Sequence, residues 1–62
     1  MEFDITLTAK TTDDGGLAGS FTKQLSDLGG TATVLETGEP YRVDSSNGSY
    51  FEARNSYHIV TS

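Results

Sequence analysis

The chain has no cysteine and no tryptophan, one proline, one methionine, one histidine and only four basic residues among 62. Without cysteine there is no disulfide framework, no thiol nucleophile and no thiolate metal site, so the usual staple of a very small secreted domain is missing. No apolar run approaches the roughly 20 residues that cross a bilayer, and no basic-then-apolar opening resembles a secretory signal. The chain therefore reads as a soluble, cytoplasmic protein. Four bases against nine acids give a net charge of -5. Phosphate backbones and anionic lipids reward Lys and Arg, so neither nucleic acid nor membrane is expected as a direct partner.

What is present is enough to fold. The composition is 34% hydrophobic with three Tyr and three Phe, and the apolar residues are periodic, unlike those of a disordered tail. A chain this short is a single domain, residues 1–62, and buries only about 60% of the surface its unfolded form exposes. Its core must hold unaided or with the help of a partner.

Phe3, Ile5, Leu7 and Ala9 alternate with Glu2, Asp4, Thr6 and Thr8, the period of a half-buried strand ending near Lys10. Thr11-Thr12-Asp13-Asp14-Gly15-Gly16 breaks it, and either aspartate can cap a following helix. Leu17, Phe21, Leu25 and Leu28 recur at helical spacing, and Gly29-Gly30 supplies the stop. Gly19 inside this helix costs about 1 kcal/mol relative to Ala, unless its missing side chain permits close approach to the sheet. Thr31–Thr37 is rich in β-branched residues and closes at Gly38-Glu39-Pro40, and Tyr41 and Val43 open a third strand. Asn47-Gly48 predicts a type I′ hairpin turn into a return strand Tyr50–Arg54. Asn55-Ser56 suggests a break before a last strand, Tyr57–Thr61, whose apolar residues on both faces point to a covered, central position.

The predicted fold is α+β, with one helix packed on a mostly antiparallel sheet in the order β-α-β-β-β-β. The expected inward set is Phe3, Ile5, Leu7, Leu17, Phe21, Leu25, Leu28, Val34, Val43, Phe51 and Ile59. Leu35 and Val60 face away from it, and the sheet face opposite the helix is left open to solvent or a partner.

Little in this sequence carries catalysis. His58 has no recognisable second ligand and reads as an ordinary strand residue, and no serine sits in an elbow motif, so no enzyme, cofactor or metal is expected. Asp13-Asp14-Gly15 lacks the alternating oxygens and terminal Glu of a calcium loop. Gly15, Gly16 and Gly19 lack the Lys and spacing of phosphate-binding fingerprints. Asn47-Gly48-Ser49 fits a glycosylation pattern, yet its structural role in the hairpin suffices.

The acids are the remaining feature. From Thr11 to Tyr41 the only base is Lys23, against five acids. Asp13, Asp14, Glu36, Glu39, Asp44 and Glu52 fall in turns, strand ends or outward-looking strand positions. One reading is plain solvation, as expected for a small domain of this net charge. The other is a negative surface that occupies a basic groove on a DNA- or RNA-binding protein, with amphipathic tyrosines such as Tyr50 adding contact area.

From the Glu2-Phe3-Asp4-Ile5-Thr6-Leu7 opening to the Tyr57-His58-Ile59-Val60 end, the chain resembles in overall character the small, acidic, cysteine-free proteins that phages and mobile elements encode against bacterial defence. It is similar in particular to the type I anti-CRISPR proteins, type I-C inhibitors included. The likeness is one of character over all 62 residues and transfers no functional residue. It implies an inhibitor that binds a Cas subunit, such as the one reading the protospacer-adjacent motif, and blocks recognition of target DNA in the host bacterial cell. The partner is then a basic nucleic-acid-binding protein, and the inhibitor a monomer or weak homodimer. The alternatives are a small phage or bacterial accessory protein acting through oligomerisation or sheet-edge pairing, and a housekeeping domain from a salt-loving organism.

Overall fold

The structure, a computed structural model, describes residues 1–61 and every side chain among them except that of Asp14. Strand β1 spans Glu2–Thr11, and its alternation sends Phe3, Ile5, Leu7 and Ala9 to one face and the exposed Glu2, Asp4, Thr6 and Thr8 to the other. A 3-10 turn, Asp14–Gly16, then leads into helix α1, Leu17–Leu28. Asp13 organises this entry, because its Oδ1 accepts the Gly15 amide at 3.0 Å and its carbonyl accepts the Gly16 amide at 2.9 Å. The aspartate thus caps the 3-10 turn, while α1 itself starts at Gly16 without a side-chain cap.

The predicted stripe faces the sheet, with Leu17 and Phe21 buried and Leu25 and Leu28 half-buried. Gly29 ends the helix at φ 73°, its amide donating to the Ser26 carbonyl at 3.1 Å, the left-handed stop that glycine alone adopts without strain. At Gly19 a Cβ would meet nothing within 4 Å. The close-approach explanation for that glycine therefore does not hold.

Strands β2 (Thr31–Thr37), β3 (Tyr41–Ser45) and β4 (Gly48–Val60) complete the sheet. β4 is central: β1 pairs along one edge from Glu2↔Val60 to Thr11↔Phe51, while β2 and β3 pair with the two ends of the other edge. Every pairing is antiparallel, so β1 and β2 run parallel with β4 between them, a split β-α-β arrangement. One helix on an antiparallel sheet makes the class α+β, with the elements in the expected order. The last two expected strands run on as one.

The expected break at Asn55-Ser56 is absent because tertiary partners satisfy both side chains. Asn55 accepts the Gly38 amide at 3.0 Å and donates to the Tyr57 hydroxyl at 3.0 Å, and Ser56 shares a 3.0 Å hydrogen bond with Thr6. Turn formers lose their preference for turns once their own polar groups are occupied elsewhere. The hairpin turn also differs from expectation, since Ser46 and Asn47 form it and, among the described residues, none other than Gly29 and Gly48 has positive φ. A type I′ turn requires positive φ at both central residues. Here only Gly48, at φ 117° just past the turn, uses that freedom.

Ala9, Leu17, Phe21, Ala53, Tyr57 and Ile59 form the buried core, with Phe3, Ile5, Leu7, Leu25, Leu28 and Phe51 packed around it. The Phe21 and Tyr57 rings lie 6.3 Å apart at 57°, a tilted aromatic contact of the favourable kind. Two members of the expected inward set are elsewhere. Val34 faces the helix side opposite Tyr57 but is 57% exposed, because α1 lies over β1 and β4 and stops short of β2. Val43 pairs with Tyr50 on the opposite face, beside Tyr41 and Glu52, and is half-buried there.

Candidate functional site

The sheet face away from α1 follows from strand alternation and register. At the Val60 end, successive rungs place Glu2 beside Val60 and Thr31, Asp4 beside His58 and Thr33, and Thr6 beside Ser56 and Glu36. Asp4 and Glu36 are two strands and one same-face rung apart, roughly 12 Å across the face from strand spacing and rise. Glu2 and Asp4 are about 7 Å apart along β1 by the same geometry. This half of the face carries three carboxylates and no Lys or Arg among the paired residues of its rungs.

His58 sits among these acids. Its Nδ1 lies 2.7 Å from an Asp4 oxygen and its Nε2 lies 3.1 Å from a Glu2 oxygen. Ionised carboxylates only accept, so satisfying both contacts requires both ring nitrogens to carry protons. The hydrogen bonds that His58 donates to Asp4 and then to Glu2 accordingly raise its pKa above the ordinary 6.5. An imidazolium that donates from both nitrogens has no lone pair to act as a base.

The other half of the face is organised around Glu52. It was expected among the exposed acids, yet it is the one buried charged residue among the described residues, at 7% exposure. Alternation does send it away from the helix, but Tyr41 donates its hydroxyl to Glu52 Oε2, and Lys10 Nζ and Arg54 approach at 3.7 and 3.9 Å. Lys10 also lies 5.9 Å from the centre of the half-buried Tyr50 ring, within cation–π range. A shallow cleft of about 320 Å³ opens beside this group, lined by Lys10, Thr11, Thr12 and Tyr50.

The other acids singled out from the sequence are dispersed. Asp44 is exposed on β3 and paired with Arg42 at 3.0 Å, on the same face as Phe51 and away from Glu52. Asp13 is exposed in the β1–α1 connection and serves the turn. The side chain of Asp14 lies outside the described residues. Glu39 is exposed in the β2–β3 connection and Glu36 on the open face of β2. Three of the four bases are thereby engaged by Glu52 and Asp44, leaving Glu2, Asp4, Asp13, Asp27, Glu36 and Glu39 without a Lys or Arg partner among the described residues.

Sequence reasoning missed Glu2 and Asp4 as members of one surface. The signal was present, since alternation puts both on the outward face of β1 and His58 on the outward face of the last strand. Joining them needed the β1–β4 register, which alternation does not supply. Among the described residues no cluster of His, Asp or Glu has the arrangement to hold a metal, and no helix is long and apolar enough to cross a membrane. No protein-family model matches the chain, and neither a curated protein nor a solved structure shows significant similarity to it.

Proposed function

We propose that this protein is an inhibitor of the anti-CRISPR kind, which binds a basic, nucleic-acid-binding Cas subunit of a type I surveillance complex and blocks recognition of target DNA. The observation that carries this reading is the uncovered sheet half on which Glu2, Asp4 and Glu36 stand, three carboxylates with His58 between two of them and no Lys or Arg in the same rungs. The sheet fixes the backbone positions of those residues in advance, and His58 holds the Glu2 and Asp4 carboxylates, so less ordering is required on binding. A basic groove that focuses potential toward a polyanion attracts such a surface and accelerates its association. Glu52 and Asp44 offset two of the three charges on Lys10, Arg54 and Arg42, and the cations that remain stand on the other half of the face or on β3, away from Glu2, Asp4 and Glu36.

The contact set differs from the one the sequence suggests. Glu52 and Asp44 act within the fold, and the partner-facing acids are Glu2, Asp4, Glu36 and Glu39. The test is capture of type I complexes from lysate by the tagged protein at low and high salt, with duplex DNA as competitor. Capture of a Cas subunit that is lost at high salt and displaced by DNA supports the reading. A folded Asp4→Asn, Glu36→Gln, Glu39→Gln variant that captures the subunit as well as the wild type overturns it.

A further inference from the structure

Three strands have a free outer edge, β1 on one side of the sheet and β2 and β3 on the other, and they differ; β3 is only five residues long and carries Arg42 and Asp44. The outer edge of β1 belongs to a strand carrying Glu2, Asp4 and Lys10, and charges of this kind discourage edge-to-edge pairing. β2 carries one charge, Glu36, no base and no proline, and all seven of its residues are exposed, with Val34 and Leu35 at 57% and 54%. Open, apolar and β-branched edges are templates for another strand. Helix α1 leaves this edge uncovered, packing on β1 and β4.

The molecule as a whole also has more surface than its mass requires. Its radius of gyration is 12.8 Å, against about 10.6 Å for a compact domain of this length. Its accessible surface is 4306 Å², against roughly 3,900 Å² from the usual scaling with mass.

We infer that β2 is the interface of a weak homodimer, in which the β2 edges of two copies pair antiparallel about a two-fold axis. The occupant is a second copy because the edge is self-compatible in charge. An antiparallel register centred between Ala32 and Val34 keeps Glu36 at least four residues along the strands from its symmetry mate, beyond the reach of a diagonal pair. Strand β2 shifts register against β4 between Val34 and Glu36, and a bulge there limits how much of the edge pairs. The interface therefore falls below the roughly 800 Å² per partner of a standard complex, which places it in the weak class.

A two-fold axis of this kind stands perpendicular to the sheet. It puts both helices on one side and both uncovered faces on the other, so the rungs bearing Glu2, Asp4 and Glu36 from two copies form one continuous acidic surface. The dimer stands independently of the inhibitor reading, and its salt response is opposite. Two copies of net charge -5 repel at long range, so added salt strengthens their association, whereas capture of a basic partner weakens.

Sedimentation equilibrium from micromolar to millimolar protein, at low and high salt, tests this. The expected result is a reversible monomer–dimer equilibrium that tightens with salt. The Val34→Glu, Leu35→Glu variant, exposed positions that leave the monomer's circular dichroism unchanged, weakens it at least tenfold. The neutral Val34→Thr, Leu35→Gln variant gives an intermediate loss. A strictly monomeric wild type at millimolar concentration overturns the inference. So does open-ended assembly beyond the dimer, or a charged variant that dimerises as tightly as the wild type.

Discussion

One chemical change, glycine to alanine, is expected to have opposite effects at two positions. A Cβ at Gly38 would lie 2.2 Å from the Arg54 carbonyl oxygen, a backbone atom that cannot rotate away. Ordinary contact begins near 3.4 Å, so β2 and β4 must separate by about an ångström at this point. The Gly38 amide donates there to both Arg54 O and Asn55 Oδ1 at 3.0 Å. Breaking this bifurcated hydrogen bond and leaving the part-buried amide unpaired costs about 1–3 kcal/mol, roughly 2 kcal/mol at the centre, out of about 3–9 kcal/mol for a domain of this size. With 4–8 °C per kcal/mol for a small domain, Gly38→Ala lowers Tm by roughly 8–16 °C. At Gly19 a Cβ meets nothing within 4 Å, and replacing a helix-interior glycine by alanine gains about 1 kcal/mol. Gly19→Ala therefore raises Tm by about 4–8 °C. Thermal melts followed by circular dichroism read both shifts. If Gly38→Ala melts within about 2 °C of the wild type, or Gly19→Ala melts lower, the reasoning about β2–β4 contact and helix exposure is refuted.

Further outcomes are expected elsewhere. Because Asp4 and Glu2 raise the His58 pKa above 6.5, its stabilising effect is complete below pH 6.5 and is lost as pH rises through the higher folded value. An NMR titration should place the His58 midpoint above 6.5 and return it toward that value in Asp4→Asn, and an unshifted midpoint in the wild type refutes the cluster. Glu52→Lys would set a third cation beside Lys10 and Arg54 in a buried position and cost about 3–5 kcal/mol, enough to unfold much of the protein in a urea titration. Asp13→Lys, at an exposed loop position, should keep most of the stability, and equal melting of the two variants would show that Glu52 is not held as described.

The parts of the fold that rest on one periodic pattern were legible from the residues. Phe3, Ile5, Leu7 and Ala9 declare their face because α1 covers β1 along that side, and the Leu17-Phe21-Leu25-Leu28 stripe meets it. Legibility failed where neighbours in space decide the outcome. Asn55 and Ser56 look like a turn until Gly38, Tyr57 and Thr6 occupy their polar groups. Val43 reads as core but belongs to a hairpin reaching past the helix, and Val34 faces a helix side that α1 does not reach. Glu52 alternates outward as expected, and only the closing of Tyr41, Lys10 and Arg54 over it removes it from the surface. The acidic half-face escaped for the same reason, since Glu2 and Glu36 meet only through strand order.

The central place of β4 shapes how the chain reaches this structure. β1, β2 and β3 each find their hydrogen-bonded partner in β4, and the first rung joins Glu2 to Val60. Before residues 48–60 are in place no strand has a neighbour, and only α1 can form from local contacts. Sheets built on such long sequence separations fold slowly, on the millisecond-to-second scale, because loop-closure entropy is lost before the contacts that offset it exist. During synthesis the apolar β2 segment is therefore made well before the strand that pairs with it, so the interval in which this chain is most prone to stray association is set by the emergence of β4.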